Sequence, residues 1–479
     1  MTGVPTRRSD LLVVGGGAAG LAAASVAARA GSRVILVERH RLGGDCLYTG
    51  CIPSKALLRA AALAHAQRQG GPFGIAPHEP VIDFAALRDS LTRVIARIEP
   101  EDSEARYRAL GAMVVHGPAI VESEASVRIG TSRLTARSLV IATGATPVVP
   151  DLPGLDGAPW FTSETLWDLE RQPRDLVILG GGPLGCEIGQ AYRRLASRVT
   201  IVESAPRLLG QEPAAISAAL TTALQEEGTR ILTSARALRV ERAEGSFRLV
   251  VETGTGSPTT LPFDALLIAV GRRARTQGLE ALGLALDPSG RIRTDAFLRT
   301  SRGGLYAAGD VTSPIHFTHV AGQQGAYAAL NALFRPLIRL RWATSPIPRV
   351  TYTDPEIASV GGDPEDRDRV VETIEIPLSE LNRAVTDGVA RGVAHFGIDR
   401  HGRLACVSLC MPHAGESIAQ IVLAMRERFS LSRLLGLIQP YPTYSEVHRK
   451  AAVRWREQRT GPASRRFAAG LLRLLRPLN

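Results

Sequence analysis

The sequence predicts an α/β fold in which one strand–turn–helix–strand unit occurs twice and a smaller α+β domain follows. Three observations carry this expectation. At 479 residues the chain exceeds one ordinary core, and domains of about 100 to 200 residues make roughly three of them. Residues 11–39 can be laid over residues 176–204, each reading strand, Gly-rich turn, helix, strand. From Arg349 onward the pattern changes to β-like runs at 350–353 and 404–409, interleaved with helical stretches such as 416–427, the mark of α+β.

In the first copy the strand 11–14 leads into Gly15, Gly17 and Gly20, and a second β-like run, 34–37, ends at Glu38. In the second, 177–179 leads into Gly180, Gly182 and Gly185, and 199–202 ends at Glu203. Both acids stand 23 residues after the first glycine. A lone GxGxxG is a weak signal, but here each copy follows an apolar strand, opens a small-residue helix and is answered by an acid at the expected distance. The glycines allow a tight turn and close backbone approach, the helix N-terminus faces a pyrophosphate, and the carboxylate accepts from a ribose hydroxyl. Two dinucleotide sites are therefore expected, against the blander alternative of two turns that bind nothing. Between the copies, 56–69 and 84–110 read as helices and 139–143 as a strand running into Gly144. After the second copy, 265–270 is a similar strand ending in Gly271, a short strand over 304–310 carries Gly309 and Asp310, and 320–334 reads as a small-residue helix.

The totals exclude several classes. Hydrophobic residues make up 45% of the chain, with 47 Gly and 30 Pro, which fits a Gly-rich globular protein better than a disordered or fibrous one. Five cysteines are too few for a disulfide scaffold, so reduced cytoplasmic thiols with one special pair are expected. The formal charge of +11 is concentrated: over residues 448–479 nine Lys or Arg face the single acid Glu457, a surplus of +8. The body is nearly balanced, and no motif points to nucleic acid. Arg7 and Arg8 precede the uncharged, mostly apolar run 11–28, the outline of a secretory signal. That run holds the first glycine fingerprint, so cleavage would remove a ligand site, and the segment reads as fold. No stretch looks long and apolar enough to span a bilayer.

Gly43 and Gly44 precede Cys46; Cys51 follows after four residues and leads into Ile52, Pro53, Ser54 and Lys55 ahead of an Ala- and Leu-rich helix. Cys51 is thus expected at a helix start, where Pro53 suits the first turn and the helix dipole stabilises a thiolate. A lowered thiol pKa is what disulfide exchange requires. Cys-x4-Cys also occurs in metal sites, but no further Cys or His lies close in sequence, so a redox pair is preferred to a metal site or to two inert thiols. No metal site is expected. Cys186, Cys406 and Cys410 read as small buried hydrophobes.

The run GGDCLYTGCIPSK, residues 43–55, resembles the active-site signature of the class I pyridine nucleotide-disulfide oxidoreductases, which include glutathione reductase, dihydrolipoamide dehydrogenase and mercuric reductase. Further matches are ATGATP at 142–147, AVGR at 269–272, LYAAGD at 305–310 and TDPEIASVG at 353–361, and the likeness runs from Asp10 to about Ala452. The resemblance implies two Rossmann-like domains, for FAD and NAD(P), and a C-terminal α+β dimerisation domain. Residues 1–150 would be the first part of the FAD domain, 151–270 the NAD(P) domain, 271–345 the second FAD part, 346–452 the interface domain and 453–479 a basic amphipathic tail.

Gly15, Gly17, Gly20 and Glu38 would hold the adenosine diphosphate half of FAD, with Gly117 and Thr318 near it, Asp310 on the ribitol, and Thr143, Gly144 and Gly309 lining the same cofactor. Lys55 would lie by the flavin N5, paired with Glu187. Cys51 would be the sulfur beside the flavin, a charge-transfer thiolate, and Cys46 the outer sulfur that exchanges with substrate. Gly180, Gly182, Gly185, Glu203 and Gly271 match the nicotinamide nucleotide site. A homodimer with sites shared between subunits is implied as well. Glu203 favours NADH by repelling a 2′-phosphate, while Arg207, four residues on, leaves NADPH open.

The sequence departs from the disulfide reductases at PYPTYSE, residues 440–446, where they carry His-Pro-Thr and then Ser-Glu: Tyr441 stands in the histidine's place. That histidine, oriented by a glutamate, is the family's acid and base for dithiol exchange. A tyrosine, with a pKa of about 10, is a poor base there. Tyr441 and Glu446 remain the substrate-side candidates, and glutathione- or lipoyl-type substrates are not expected. His448 is the nearest replacement, but on a C-terminal helix it reads as a solvated residue. Mercuric reductases also have tyrosine in this region, yet no heavy-metal-binding module precedes the first fingerprint and residues 474–479 hold no cysteine pair.

The expectation is a mercuric-reductase-like relative that passes electrons from NAD(P)H through FAD and the Cys46–Cys51 pair to a small-molecule acceptor. Mercuric reduction, a redox relay to a protein partner, and a flavoprotein in weak contact with a membrane surface stand as alternatives. For the last, residues 465–478 interleave Phe467, Leu471, Leu472, Leu474, Leu475 and Leu478 with Arg465, Arg466, Arg473 and Arg476. That pattern fits an interfacial or partner helix, and the blander alternative is a solvated or dimer-packed one.

Overall fold

The structure is a computed structural model that describes residues 8–475 apart from 244, 255, 257, 343–345, 363 and 390. Arg7, Arg476 and Leu478, used in the sequence argument, lie outside the described residues. The chain divides into two compact units, Met1–Ser204 with Leu232–Thr344, and Ala205–Ile231 with Ser345–Asn479.

In the first unit the strands Arg8–Val14 and Val34–Glu38 lie parallel, Leu11 opposite Val34 and Val14 opposite Val37. Met113–His116 flanks the second of these, and Ser132–Ile141 flanks the first and carries Leu305–Ala307 on its other side, all parallel. The centre is covered on both faces, with Leu11, Leu12, Val13, Leu36, Leu139 and Ile141 fully buried. That is why these strands read as unbroken apolar runs rather than as alternation. Helices Ala18–Arg29 and Thr318–Phe334 pack in the same core through Ala19, Ala23, Ala27, Ala321 and Ala328, whose short side chains let the helices approach closely.

The second copy repeats the design. Arg198–Val202, Asp175–Leu179, Ala265–Ile268 and Trp160–Phe161 form a parallel sheet with Val199 opposite Leu176, and helix Pro183–Arg194 follows the Gly-rich turn. A three-stranded antiparallel sheet, Ala235–Ala243, Ser246–Thr253 and Thr259–Phe263, shares its core through Leu249, Val251 and Leu261. Its outward positions, Arg236, Arg239 and Glu241, dilute the apolar signal, so its strands do not stand out in the sequence.

Two helix boundaries differ from expectation. The stretch 84–110 is broken into Phe84–Ile98, a 3-10 turn Glu99–Asp102 and Glu104–Ala109. Pro100 supplies no amide to continue the first helix, and Ser103 starts the next by accepting from Arg106 N at 3.3 Å. The helix read over 56–69 runs Cys51–Arg68, so the second half of the cysteine signature is its first turn.

The second unit is a five-stranded antiparallel sheet in the order Pro348–Thr351, Glu356–Gly361, Leu404–Met411, Val393–Ile398, Glu372–Pro377. Helices Ala414–Arg426 and Glu446–Arg459 bury Ile418, Ile421, Val447 and Ala451 in one core with Phe396 and Leu409. Ala205–Ile231 groups with this unit. Buried Glu212 anchors it, accepting from Arg349 Nε at 3.0 Å and from the hydroxyls of Ser359 and Ser408. A final helix, Pro462–Leu475, ends the described chain.

His448 is not the solvated residue that its place on a C-terminal helix predicts. It is buried beside Val447, Ala451 and Ala452, with Nε2 2.9 Å from Ser417 Oγ and its ring edge-on to Phe396. The inward face of the helix, not the solvated one, carries it. Burial pushes its pKa down to about 4, so the ring is held neutral and serves the core.

Candidate active site

The two Gly-rich turns repeat each other bond for bond. Gly15 N donates to Val37 O and Gly180 N to Val202 O, both at 2.8 Å, and both glycines sit at φ +108°. Gly16 N and Gly181 N each donate to one oxygen of the answering acid, Glu38 or Glu203, at 2.6 Å. A Cβ on Gly20 would stand 1.7 Å from Gly15 O, and one on Gly185 would stand 2.0 Å from Gly180 O, so each helix is pressed onto its turn as only glycine permits. Both helices begin without a side-chain cap, at Gly17 and Gly182. Uncapped first-turn amides at the positive end of a helix make an anion cradle, and these two fit the pyrophosphates of FAD and of a nicotinamide nucleotide.

The neighbouring candidates brace these turns. Glu38 accepts from His40 N through its second oxygen, and Gly117 N donates to Glu38 O, each at 2.9 Å. Thr143 Oγ1 donates to Arg275 O at 2.6 Å, and Gly309 N donates to Gln324 Oε1 at 2.8 Å. Gly144 and Gly271 close their strands with left-handed backbone. Asp310 follows Gly309 in a short 3-10 turn, where burial raises its carboxyl pKa and the charge of His316 opposes that rise.

Cys51 is the first residue of its helix, and Cys46 lies in the short helix Gly44–Tyr48 before it. Cys51 Sγ lies 3.3 Å from Thr318 Oγ1. Lys55 Nζ, one turn along, pairs with the buried Glu187 carboxylate at 2.8 Å. The Cys51 pKa is pulled down to about 6, first by a hydrogen bond from the Cys46 thiol, then by the Thr318 hydroxyl and the Lys55 charge, against burial and the Glu187 carboxylate. Cys46 is pushed up by the same hydrogen bond and by burial. These opposite shifts favour the thiolate on Cys51 and the thiol on Cys46. The other cysteines behave as small core residues: Cys186 and Cys410 are buried and Cys406 half-buried.

Thr318 is the first residue of helix Thr318–Phe334, and its hydroxyl lies at the Cys51 sulfur.

Several side chains that hold the cysteine loop were missed. Asp45 forms an ion pair with Arg272, whose guanidinium also donates to Ala145 O at 2.9 Å and Ser163 Oγ at 3.3 Å. Arg275 donates to Glu164 Oε1 at 2.6 Å. Tyr48, between the two cysteines, donates to Glu99 Oε1 at 2.8 Å and lies under the Arg41 guanidinium. Trp167 Nε1 donates to Thr49 O at 2.9 Å. The one available signal was the charge of Asp45 inside an otherwise uncharged GGDCLYTGC run.

Tyr441 and Glu446 belong to the second unit. Tyr441 is 68% exposed, and its hydroxyl accepts from Asn382 Nδ2 at 2.6 Å. Glu446 Oε2 is buried with no hydrogen-bond partner among the described residues. No group of three or more His, Cys, Asp or Glu among the described residues is arranged to hold a metal ion.

Residues 9–325 match the family model for pyridine nucleotide-disulphide oxidoreductase, and residues 347–452 match the model for the dimerisation domain of the same family. A mercuric reductase of Streptomyces lividans is 34% identical over 455 residues, covering 92% of this chain and 95% of its own. A dihydrolipoyl dehydrogenase of Thermus scotoductus is 33% identical over 457 residues, covering 92% and 96%. Among solved structures, the Cu(II) complex of the HOCl-induced flavoprotein disulfide reductase RclA from Escherichia coli is similar with a TM-score of 0.81 and 26% identity, over 93% of this chain and 99% of that one.

Proposed function

Since the chain belongs to the pyridine nucleotide-disulphide oxidoreductase family, whose members bind FAD and use NAD(P)H, we propose that its Cys46–Cys51 pair passes two electrons to a small thiophilic acceptor that needs no histidine as proton donor. The supporting observation is the split of the pair into a Cys51 thiolate, with its pKa near 6, and a Cys46 thiol, beside the Lys55–Glu187 ion pair.

Gly15, Gly17, Gly20, Glu38 and Gly117 would hold one end of FAD, with Thr143, Gly144, Gly309 and Asp310 along it. Gly180, Gly182, Gly185, Glu203 and Gly271 would hold the nicotinamide nucleotide. FAD, when bound, supplies two-electron exchange between that nucleotide and the sulfurs. The chain's own residues do the rest. Two electrons and one proton opening a Cys46–Cys51 disulfide leave a Cys46 thiol and a Cys51 thiolate, with the thiolate balanced by Lys55 and the Thr318 hydroxyl. Cys46, the outer sulfur, then engages the acceptor. We assign 1–150 and 271–345 to FAD, 151–270 to the nucleotide and 346–452 to the homodimer interface, and we place the enzyme in the cytoplasm, where the pair meets a reducing pool.

NADH is the proposed donor. Glu203 disfavours a 2′-phosphate, and Arg207 Nη2 donates to the carbonyls of Gly210 at 3.0 Å and Glu212 at 3.2 Å.

A second assignment, Hg(II) as acceptor, is favoured by Tyr441 in the histidine's place and by similarity to the Streptomyces mercuric reductase. An anaerobic titration with NADH and a thiol count, followed by a screen of Hg(II), Cu(II), quinones, lipoamide and glutathione disulfide, tests both. Two electrons taken up without new thiols would exclude the redox pair, and brisk turnover of glutathione disulfide would exclude the soft-acceptor assignment.

A further inference from the structure

Helix Pro462–Leu475 lies beyond the dimerisation match, which ends at residue 452. Every side chain from Arg466 to Leu475 is exposed. Phe467, Leu471, Leu474 and Leu475 recur at i, i+4, i+7 and i+8 and so share one face, at 72, 43, 85 and 74% exposure. Arg465, Arg466, Arg473 and Arg476 are the only charged side chains after Arg459, and no acid stands among them.

We propose that this helix docks the enzyme on an anionic membrane surface. A contiguous apolar stripe left in water marks a contact surface, and the clustered arginines give that surface one sign. Lipid suits it better than a protein, because residues 465–478 offer only aliphatic and aromatic carbon and guanidinium groups. They hold no Asn, Gln, Tyr, Asp or Glu to fix a register against a partner chain. A layer of anionic headgroups over acyl chains matches that pair of features, with arginine stems lying along the apolar face and guanidinium groups at the phosphates. The helix lies along the surface and does not cross it: its 14 residues extend about 21 Å against a hydrocarbon core of about 30 Å. No helix among the described residues is long and apolar enough to cross a membrane.

The test floats the full-length, FAD-loaded enzyme with phosphatidylcholine vesicles that contain or lack phosphatidylglycerol, at low and high salt. Binding is expected only with phosphatidylglycerol and is lost in salt, because exposed charges are screened within about 8 Å at physiological ionic strength. Arg466→Gln with Arg473→Gln should weaken binding by about thirtyfold. Leu471→Ser with Leu474→Ser, which leaves the charge intact, should abolish it, as should a chain ending at Gly461. All variants should keep the parent's rate of flavin reduction by NADH in solution, which shows that they are folded. Equal binding to both vesicle types, or no binding to either, would overturn the proposal. So would a shift from dimer to monomer in the leucine variant by sedimentation, since the stripe would then belong to a second copy.

Discussion

The position of Thr318 makes the most specific prediction. Thr318→Val keeps shape and volume but deletes the hydroxyl that lies 3.3 Å from Cys51 Sγ. A hydrogen bond to a charged group is worth about 1.5 to 3 kcal/mol, or roughly one to two pKa units. Sulfur is a weak acceptor, which brings the expectation to the lower end, about one unit. The Cys51 pKa should therefore rise from about 6 to about 7. At pH 7 the thiolate fraction would fall from about nine-tenths to about half. The assay is the pH dependence of iodoacetamide alkylation of the fully reduced protein, with Cys51 and Cys46 distinguished by peptide mapping. Cys46→Ala, which removes the larger contribution, should raise the Cys51 pKa further still. An unchanged Cys51 pKa in Thr318→Val, or a larger effect from Thr318→Val than from Cys46→Ala, would refute this account of the site.

Gly20→Ala should yield protein without FAD, whereas Gly185→Ala should keep FAD and weaken nicotinamide nucleotide binding by about tenfold or more, as the flavin spectrum and a nucleotide titration would report. Catalytic efficiency should be higher with NADH than with NADPH, and equal values would remove the role given to Glu203. Tyr441→Phe should leave flavin reduction by NADH nearly unchanged and alter only the step that transfers electrons to the acceptor, a division that rapid-reaction kinetics can separate. Stability should fall on acidification through His448, whose pKa is depressed by burial from 6.5 to about 4 in the folded chain. The neutral ring contributes fully above the unfolded value, and that contribution is lost as pH drops toward the folded one. The loss by pH 5 is about 2 kcal/mol relative to pH 7, and guanidinium unfolding of the parent should show a pH dependence that His448→Gln lacks.

What the sequence determined by itself was local. The two glycine turns, the acids 23 residues after the first glycine of each, and Cys51 at a helix start follow from backbone sterics, period and short-range spacing. These act within one supersecondary unit and leave their mark in adjacent residues. The pairing of Lys55 with Glu187 across 132 residues was legible only through the family resemblance. Tertiary structure alone decided what distant segments bring together. Thr318 reaches Cys51 across 267 positions and Arg272 reaches Asp45 across 227, and neither leaves a periodic trace because each depends on how separate elements dock. His448 shows the same limit. Its helix carries charge on several sides, so pattern could not say which face turns inward, and only packing against Phe396 and Ser417 made the ring part of the core.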